Sequence, residues 1–420
     1  MSPKLSIIVT SYNIEKYIGE CLQNIIDQTI EDIEIIVVDD GSKDNTCNII
    51  REYANKDKRI IPMLMEQNSP GGVATPANIG IDAATGDYIG FADGDDLYEP
   101  TMFEKLYLSA QVNGAEVAMC NFMEFETESE IKNAPFEPCW KNFKNVSSLD
   151  VRSPDNKKKV LDLLPVPWRK IYKRDLLVNN NLRFPVGDYF FEDNGFHWFT
   201  TLNATRISFV DEILCYHRRN RAGQTMSSGG ERLLGVFHQH SVIYDYIQKK
   251  QLLDTYRDYS LNWLIGHLSW IQQVLDPQFS NKFYEIMRGH ISKYSTDEIQ
   301  RYLAKKYYDR KSIELVVSLL RKDEHFFVDV MNGKLSSSLK EKVIFNYYKL
   351  GGLNFVSMFF RHLSYKVKSK IKYNNASNRE LKKLLIESNE KIERLHHRVN
   401  DLERIIETGF ILAEKKSDNK

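Results

Sequence analysis

Three carboxylates, Asp93, Asp95 and Asp96, fall within four residues at the end of the apolar run Tyr88-Ile89-Gly90-Phe91-Ala92. Like charges so close raise one another's pKa, and a cation between them relieves the repulsion. Hard oxygen donors suit Mg²⁺ or Mn²⁺, ions that take one or two protein carboxylates and leave their other positions to substrate phosphates. The plain alternative is a solvated acidic turn, since Asp and Gly favour turns for conformational reasons of their own. A second acidic pair, Glu192-Asp193, sits among aromatics in the stretch from Asp188 to Trp198. Apolar surroundings disfavour a carboxylate's charged form and bring its pKa towards the value a general base needs near neutrality. The alternative there is an acid in the first turn of a helix, stabilised by the helix dipole.

The elements that must hold these groups are legible nearby. Leu5-Ser6-Ile7-Ile8-Val9-Thr10 has a buried-strand pattern, and it begins so close to Met1 that no room is expected for a signal peptide. A helical period follows in Ile14, Tyr17, Ile18, Cys21, Leu22 and Ile25, and a second strand, Ile33 to Val38, runs into Asp39-Asp40-Gly41-Ser42. A helix from Thr46 to Asn55, a strand from Ile60 to Leu64, the Gly-rich loop Pro70-Gly71-Gly72-Val73 and a helix from Ala77 to Ala84 lead to the strand before Asp93. Alternating helices and apolar strands predict an α/β fold with a parallel sheet, whose ligands bind beyond the carboxyl ends of the strands. Asp39, Asp40, Asp93 and Asp95 all sit at such ends.

Over residues 4 to 100 the blocks Ser6-Ile7-Ile8-Val9-Thr10-Ser11-Tyr12-Asn13, Gln28-Thr29, Glu34 to Ser42 with Asp44 and Thr46, Asn78-Ile79-Gly80-Ile81, and Gly86 to Asp96 resemble, in order and spacing, the family 2 glycosyltransferases. These are inverting enzymes with the Rossmann-like GT-A fold, and a weaker similarity runs on to residue 228. The resemblance implies a nucleotide-sugar donor, with UDP favoured, bound by Thr10, Tyr12, Asp40, Asn78, Asp93 and Asp95. Asp40 would meet the uracil edge and Asp93 the ribose. It implies Asp95 as ligand of Mn²⁺ or Mg²⁺, with Asp93 as a second ligand and Asp96 behind them, and Asp193, beside Glu192, as general base. One position departs from the family pattern: Ala77 stands where an Arg often precedes the Asn. Arg169, Lys170, Arg218 or Arg219 could supply the missing charge. The segment Cys215 to Ser227 offers Arg, Ser and Thr groups suited to closing over a diphosphate. His217 within it reads either as a metal or phosphate ligand or as a structural histidine beside an apolar strand.

The formal net charge is zero, from 57 basic and 57 acidic residues, which gives no bulk electrostatic case for nucleic acid. The five cysteines, widely spaced and odd in number, read as reduced thiols, as in a cytoplasm. Strand signals stop near Gly230, so the expected domains are 1–228 (GT-A) and 229–348 (helical). Aromatics of the second, such as Trp263, Trp270 and Phe327, are expected to be core packing. Segment 349–373 carries a basic amphipathic pattern suited to an anionic membrane surface or to a docked helix, and residues 379–408 carry heptads with mainly β-branched a and leucine d positions. That seam predicts a homo-oligomer, a dimer before a trimer, followed by a tail at 409–420. The combined expectation is a hexosyl- or N-acetylhexosaminyl-transferase, peripheral on the inner face of a cell membrane, acting on a glycan or lipid-linked glycan of capsule, lipopolysaccharide or teichoic-acid type. Its rivals are a sugar nucleotidyltransferase, disfavoured because Ser11-Tyr12-Asn13 is no phosphate loop, and a nucleotide-binding scaffold assembled by the coiled coil.

Overall fold

In the computed structural model, which describes residues 3–126, 132–219, 230–305, 308–335 and 345–349, the chain starts with alternating strands and helices. These are β1 (Leu5–Ser11), α1 (Ile18–Ile26), β2 (Ile33–Asp39), α2 (Thr46–Lys56), β3 (Ile60–Leu64), α3 (Ala74–Ala83) and β4 (Tyr88–Asp93). β1 and β2 are buried nearly end to end, as expected of strands covered on both faces. The elements predicted up to β4 are all present; α1 begins at Ile18 rather than Ile14, and α3 begins three residues early.

Next come β5 (Leu97–Tyr98), α4 (Met102–Asn113), β6 (Val117–Glu126), β7 (Lys132–Asn133), β8 (Ser148–Asp150), α5 (Pro154–Leu161), β9 (Lys170–Lys173), α6 (Arg174–Asn179), α7 (Glu192–Asn203) and β10 (Arg206–Arg219). All ten strands join one sheet, of order β3-β2-β1-β4-β9-β6-β10-β5, with β7 on β6 and β8 on β10. From β3 to β4 the sheet is parallel. β9 then enters antiparallel between β4 and β6, so the sheet is mixed rather than wholly parallel. β2 and β4 flank β1 on opposite sides, which opens a crevice at the carboxyl ends of these three strands.

The described residues past Gly230 are helical: α8 (Gly235–Lys249), α9 (Leu253–Val274), α10 (Ser280–Ile291), α11 (Thr296–Lys305), α12 (Arg310–Leu320) and α13 (Glu324–Met331). The chain divides into two compact units, Met1–Lys293 and Tyr294–Lys420. Within the first, α8 and α9 pack with α7, and Ile243, Ile247 and Tyr256 enter the same core as Ile8, Phe91 and Trp198. Within the second, α12 is buried from Ser312 to Leu319, and Asp309 and Asp323 cap α12 and α13. The basic segment beyond Lys349, the heptads at 379–408 and the tail lie outside the described residues, as do residues 220–229.

Candidate active site

At the carboxyl ends of the central strands, Thr10 is the register partner of Asp93 and Ser11 that of Asp39. Asp39 is fully buried and serves the turn: it accepts from Ser11 Oγ at 2.9 Å and from Ser42 N and Oγ at 2.8 and 2.6 Å. Asp40 accepts from Ser69 N and Oγ at 2.9 and 2.8 Å. Burial raises its pKa, and the two Ser69 bonds pull it partly back. Tyr12 is exposed at the rim, ahead of Asn13, whose backbone is left-handed.

The carboxylate turn is anchored when Gly94 N donates to Thr10 O and Asp96 N to Asp93 O, both at 3.0 Å. Asp96 is buried and accepts from His217 Nδ1 at 3.1 Å and from Arg218 N at 2.8 Å. Burial opposes charge on His217, but Asp96, followed by Asp93 and Asp95, outweighs it and pushes the imidazole up to about 9. His217 also stacks on Trp168 at 5.2 Å, so its Nδ1 is committed to this carboxylate. Arg218 is buried too. Its Nε donates to Asp95 O at 2.7 Å and its Nη2 to Glu20 at 2.9 Å, and its guanidinium lies between Tyr17 and Phe125. It backs the turn, and β10 holds it there; Arg219 pairs with Glu124 at 3.2 Å. The expected closing segment is thus strand from Cys215 to Arg219, and its remainder lies outside the described residues.

Among the described residues no three His, Cys, Asp or Glu side chains converge to hold a metal by themselves. The two carboxylates Asp93 and Asp95 at the turn are hard oxygen donors of the kind a divalent ion takes when phosphate oxygens complete its shell. The negative field at the turn is strong: beneath it the thiol of Cys21 is pushed up by burial and then by Asp96, Asp95 and Asp93.

Glu192 and Asp193 occupy the first turn of α7, after Phe191 in a left-handed conformation (φ 68°). Burial raises the Asp193 pKa, and Lys170 works against that rise. Asn194 Nδ2 donates to Asp193 Oδ1 at 3.0 Å. Glu192 Oε1 accepts the Ala74 N–H at 3.1 Å, capping α3 from another helix, and burial pushes its carboxyl up to about 7. Gly72 lies close below it: a Cβ there would lie 2.4 Å from Glu192 Oε1 and would displace the carboxylate. Asn78 exchanges two hydrogen bonds with the backbone of Phe184, at 2.9 and 2.8 Å, and so ties α3 to the chain leading into α7.

Two of the cations considered for the phosphates lie elsewhere. Arg169 is fully buried in a bidentate pair with Glu137, at 2.8 and 2.6 Å, and Lys170 is buried against backbone carbonyls. The loop partner Ser69 has no counterpart in the sequence reading, whereas Trp270 packs its ring edge-on against Phe191 at 6.0 Å, as expected of a packing aromatic. A serine before a Pro-Gly-Gly turn carries no signal of its own. Trp270 lies at helical spacing on α9, where core packing is the ordinary reading.

A half-parallel sheet with carboxylates at its crevice and a buried acid on a neighbouring helix defines a GT-A-type α/β domain. The family model described as Glycosyl transferase family 2 matches residues 6–176. EpsJ of Bacillus subtilis (strain 168), an uncharacterized glycosyltransferase, is 34% identical over 220 residues, 52% of this chain and 62% of its own length. The glycosyltransferase GlyG of Streptococcus pneumoniae serotype 4 is 34% identical over 231 residues, 54% of this chain and 74% of its own length. The crystal structure of S. aureus TarS shares the fold, with a TM-score of 0.61 at 22% identity over 79% of this chain and 55% of TarS. A TarS 1–349 structure in complex with UDP gives a TM-score of 0.60 at 23% identity, covering 79% of this chain and 90% of that one. EpsJ and the longer TarS chain are thus matched over less than two thirds of their length. The chain belongs to glycosyl transferase family 2.

Proposed function

We propose that this protein transfers one sugar from a UDP-sugar to a hydroxyl of a cell-surface glycan, with inversion at the anomeric carbon. The observation that carries the reading is the loop from Ser69 to Ala74, which bonds Asp40 at one end and Glu192 at the other. Ser69 and Ala74 are five residue steps apart, at most about 18 Å of chain, which keeps the carboxylate proposed for the nucleotide near the helix bearing Asp193.

Thr10, Tyr12 and Asp40 bind the nucleoside, with Asp93 on its ribose side. Asp193 takes the proton of the acceptor hydroxyl, the freed oxygen bonds to the anomeric carbon, and the bond to the diphosphate breaks with its electron pair leaving on UDP. Burial raises the pKa of Asp193, the direction that strengthens a carboxylate as a proton acceptor. A divalent cation on Asp95 and Asp93 would supply charge neutralisation for the departing diphosphate. Arg218, His217 and Asp96 keep that turn in place. Support for a surface-glycan acceptor comes from the family and from a relative whose name is poly(ribitol-phosphate) beta-glucosyltransferase. No helix among the described residues is long and apolar enough to cross a membrane, and the inner-face, peripheral reading and the oligomer rest on the sequence patterns of 353–373 and 379–408.

The test is release of the nucleoside diphosphate from a panel of nucleotide sugars, with Mn²⁺ or Mg²⁺ and then with chelator. Metal-dependent release from one donor, cut about 100-fold or more in Asp95→Ala, supports the site. Turnover lost in Asp193→Asn with UDP binding retained supports its role as base. Absence of both release and UDP binding would refute the reading.

A further inference from the structure

Lys170 opens β9 and is buried to 1% exposure, and among the described residues no carboxylate is in hydrogen-bonding contact with it. Its Nζ lies 3.0 Å from Pro165 O, 3.4 Å from Leu164 O and 3.3 Å from His197 Nδ1. The imidazole's role is fixed from its far side. His197 Nε2 lies 3.2 Å from Val160 O, and a carbonyl can only accept, so Nε2 carries the proton and Nδ1 presents its lone pair to Lys170. Three acceptors around one nitrogen match the three N–H bonds of an ammonium. A neutral amine would turn its lone pair towards one of them.

His197 is four residues beyond Asp193 on α7, and side chains at that spacing share one helix face. Tyr172, two residues beyond Lys170 on β9, packs its ring on Phe196 of the same helix at 5.3 Å. Alternate strand residues share a face, so Lys170 and Tyr172 both look at α7. The ammonium thus sits one helical turn from Asp193, in a dry setting where a single charge acts strongly.

We infer that Lys170 is a positioning residue for the transfer: its ammonium, locked between the Pro165 carbonyl and His197, keeps the Asp193 carboxylate ionised and ready to accept a proton. This rests on the reading of Asp193 as general base. The other groups facing this region do not replace the charge. Tyr172 is neutral, with its hydroxyl pushed well up by burial. Glu192 has the same sign as Asp193, Gln239 of α8 is uncharged, and Lys157 of α5 is committed to the far end of α7. Arg169 is neutralised by Glu137. Burial, with help from Arg169, holds the Lys170 pKa well below the ordinary lysine value although Glu137 and Asp193 pull it up, so it is the three acceptors around Nζ that argue for the ammonium.

The experiment uses the full chain labelled at Asp Cγ and Lys Cε, titrated by carbon NMR, with the Asp193 signal assigned by its loss in Asp193→Asn. In Lys170→Met and Lys170→Gln the Asp193 midpoint should rise by about one pH unit or more, the effect of removing a nearby opposite charge. The acid limb of UDP release from UDP-GlcNAc with Mn²⁺ should move with it, while UDP affinity stays unchanged. An unmoved Asp193 midpoint, or a shift in the Met variant alone, overturns the inference. If neither variant folds, the wild-type titration decides, because a Lys170 found as neutral amine at neutral pH overturns it and an ammonium upholds it. If wild-type protein neither releases UDP from any donor nor binds UDP, the transferase reading falls, and the NMR titration still decides the role of Lys170.

Discussion

Asp40 and Glu192 grip opposite ends of one loop: Asp40 accepts from Ser69 N at 2.9 Å, and Glu192 accepts from Ala74 N at 3.1 Å. One carboxylate lies on the side proposed for the nucleotide, and the other is the sequence neighbour of Asp193. The Pro-Gly-Gly turn between them has room for neither a Cβ at Gly72 nor one at Gly71, where it would meet Gly187 O at 2.2 Å. The loop is therefore a spacer that sets where α7 stands relative to the strand ends.

Truncating the spacer's grip should cost both stability and rate. Glu192→Ala leaves the Ala74 N–H unpaired in a buried place, a loss of about 1–2 kcal/mol. Displacement of Asp193 by even a fraction of an ångström lowers turnover, by up to about 100-fold. Glu192→Gln keeps the accepting oxygen and should stay near wild type in melting temperature. Thermal melts and kcat of the two variants check this, and equal loss in both would contradict the capping role.

The same residue gives a pH signature. Burial raises the folded pKa of Glu192 from 4.5 to about 7, so folding favours its neutral form. Its contribution is fully present below the unfolded value, and it is lost as pH rises through the folded one. The difference corresponds to about 3 kcal/mol from this group alone. Urea denaturation across the acid-to-neutral range should show the wild type losing stability relative to Glu192→Gln as pH rises. Parallel curves would contradict it.

At the other end of α7, Lys157 does what an accepting cap cannot. Its Nζ donates to Thr201 O, Leu202 O and Ala204 O at 3.0, 2.5 and 2.8 Å, which satisfies carbonyls that the helix leaves open. Lys157→Met should lower stability by about 1–3 kcal/mol. Because the cap sits at the opposite end from Asp193, UDP affinity should be unaffected, and calorimetry with UDP checks that half.

The strand half of the site was legible because its signal is local. Buried strands such as Ile33–Asp39 are near-continuous apolar runs, broken there only by Glu34, and Asp39, Asp40, Asp93 and Asp95 end them. What was not legible depends on contacts between distant segments. Arg218 reads as a phosphate ligand in a basic stretch, yet β10 carries it back to Asp95 and Glu20, nearly 200 residues away in sequence for the latter. Asn78 fell in a family block, but the fold uses both ends of its amide on Phe184. Lys170 carried no periodicity to distinguish it from a surface lysine. The antiparallel insertion of β9 escaped because a four-residue strand with lysines at both ends has no parallel-sheet pattern.

Arg169 and Glu137 provide the sharpest stability test, since the pair is sealed from water: the side chains are 0% and 2% exposed. The guanidinium also lies against Phe122 and Trp140, at 5.1 and 5.2 Å. Removing one partner strands a buried charge, so Arg169→Met should cost about 3–5 kcal/mol and Glu137→Gln a comparable amount. Removing both together removes the stranded charge, and the double variant Arg169→Met/Glu137→Gln should be less destabilised than the two single losses added. Because Arg169 lies beside Lys170 in the chain, the double variant also shows whether the pair only holds the fold. Near-wild-type turnover in a folded double variant would assign it to structure alone. Additive losses in the cycle would mean that the two charges do not act on each other, against the bidentate geometry.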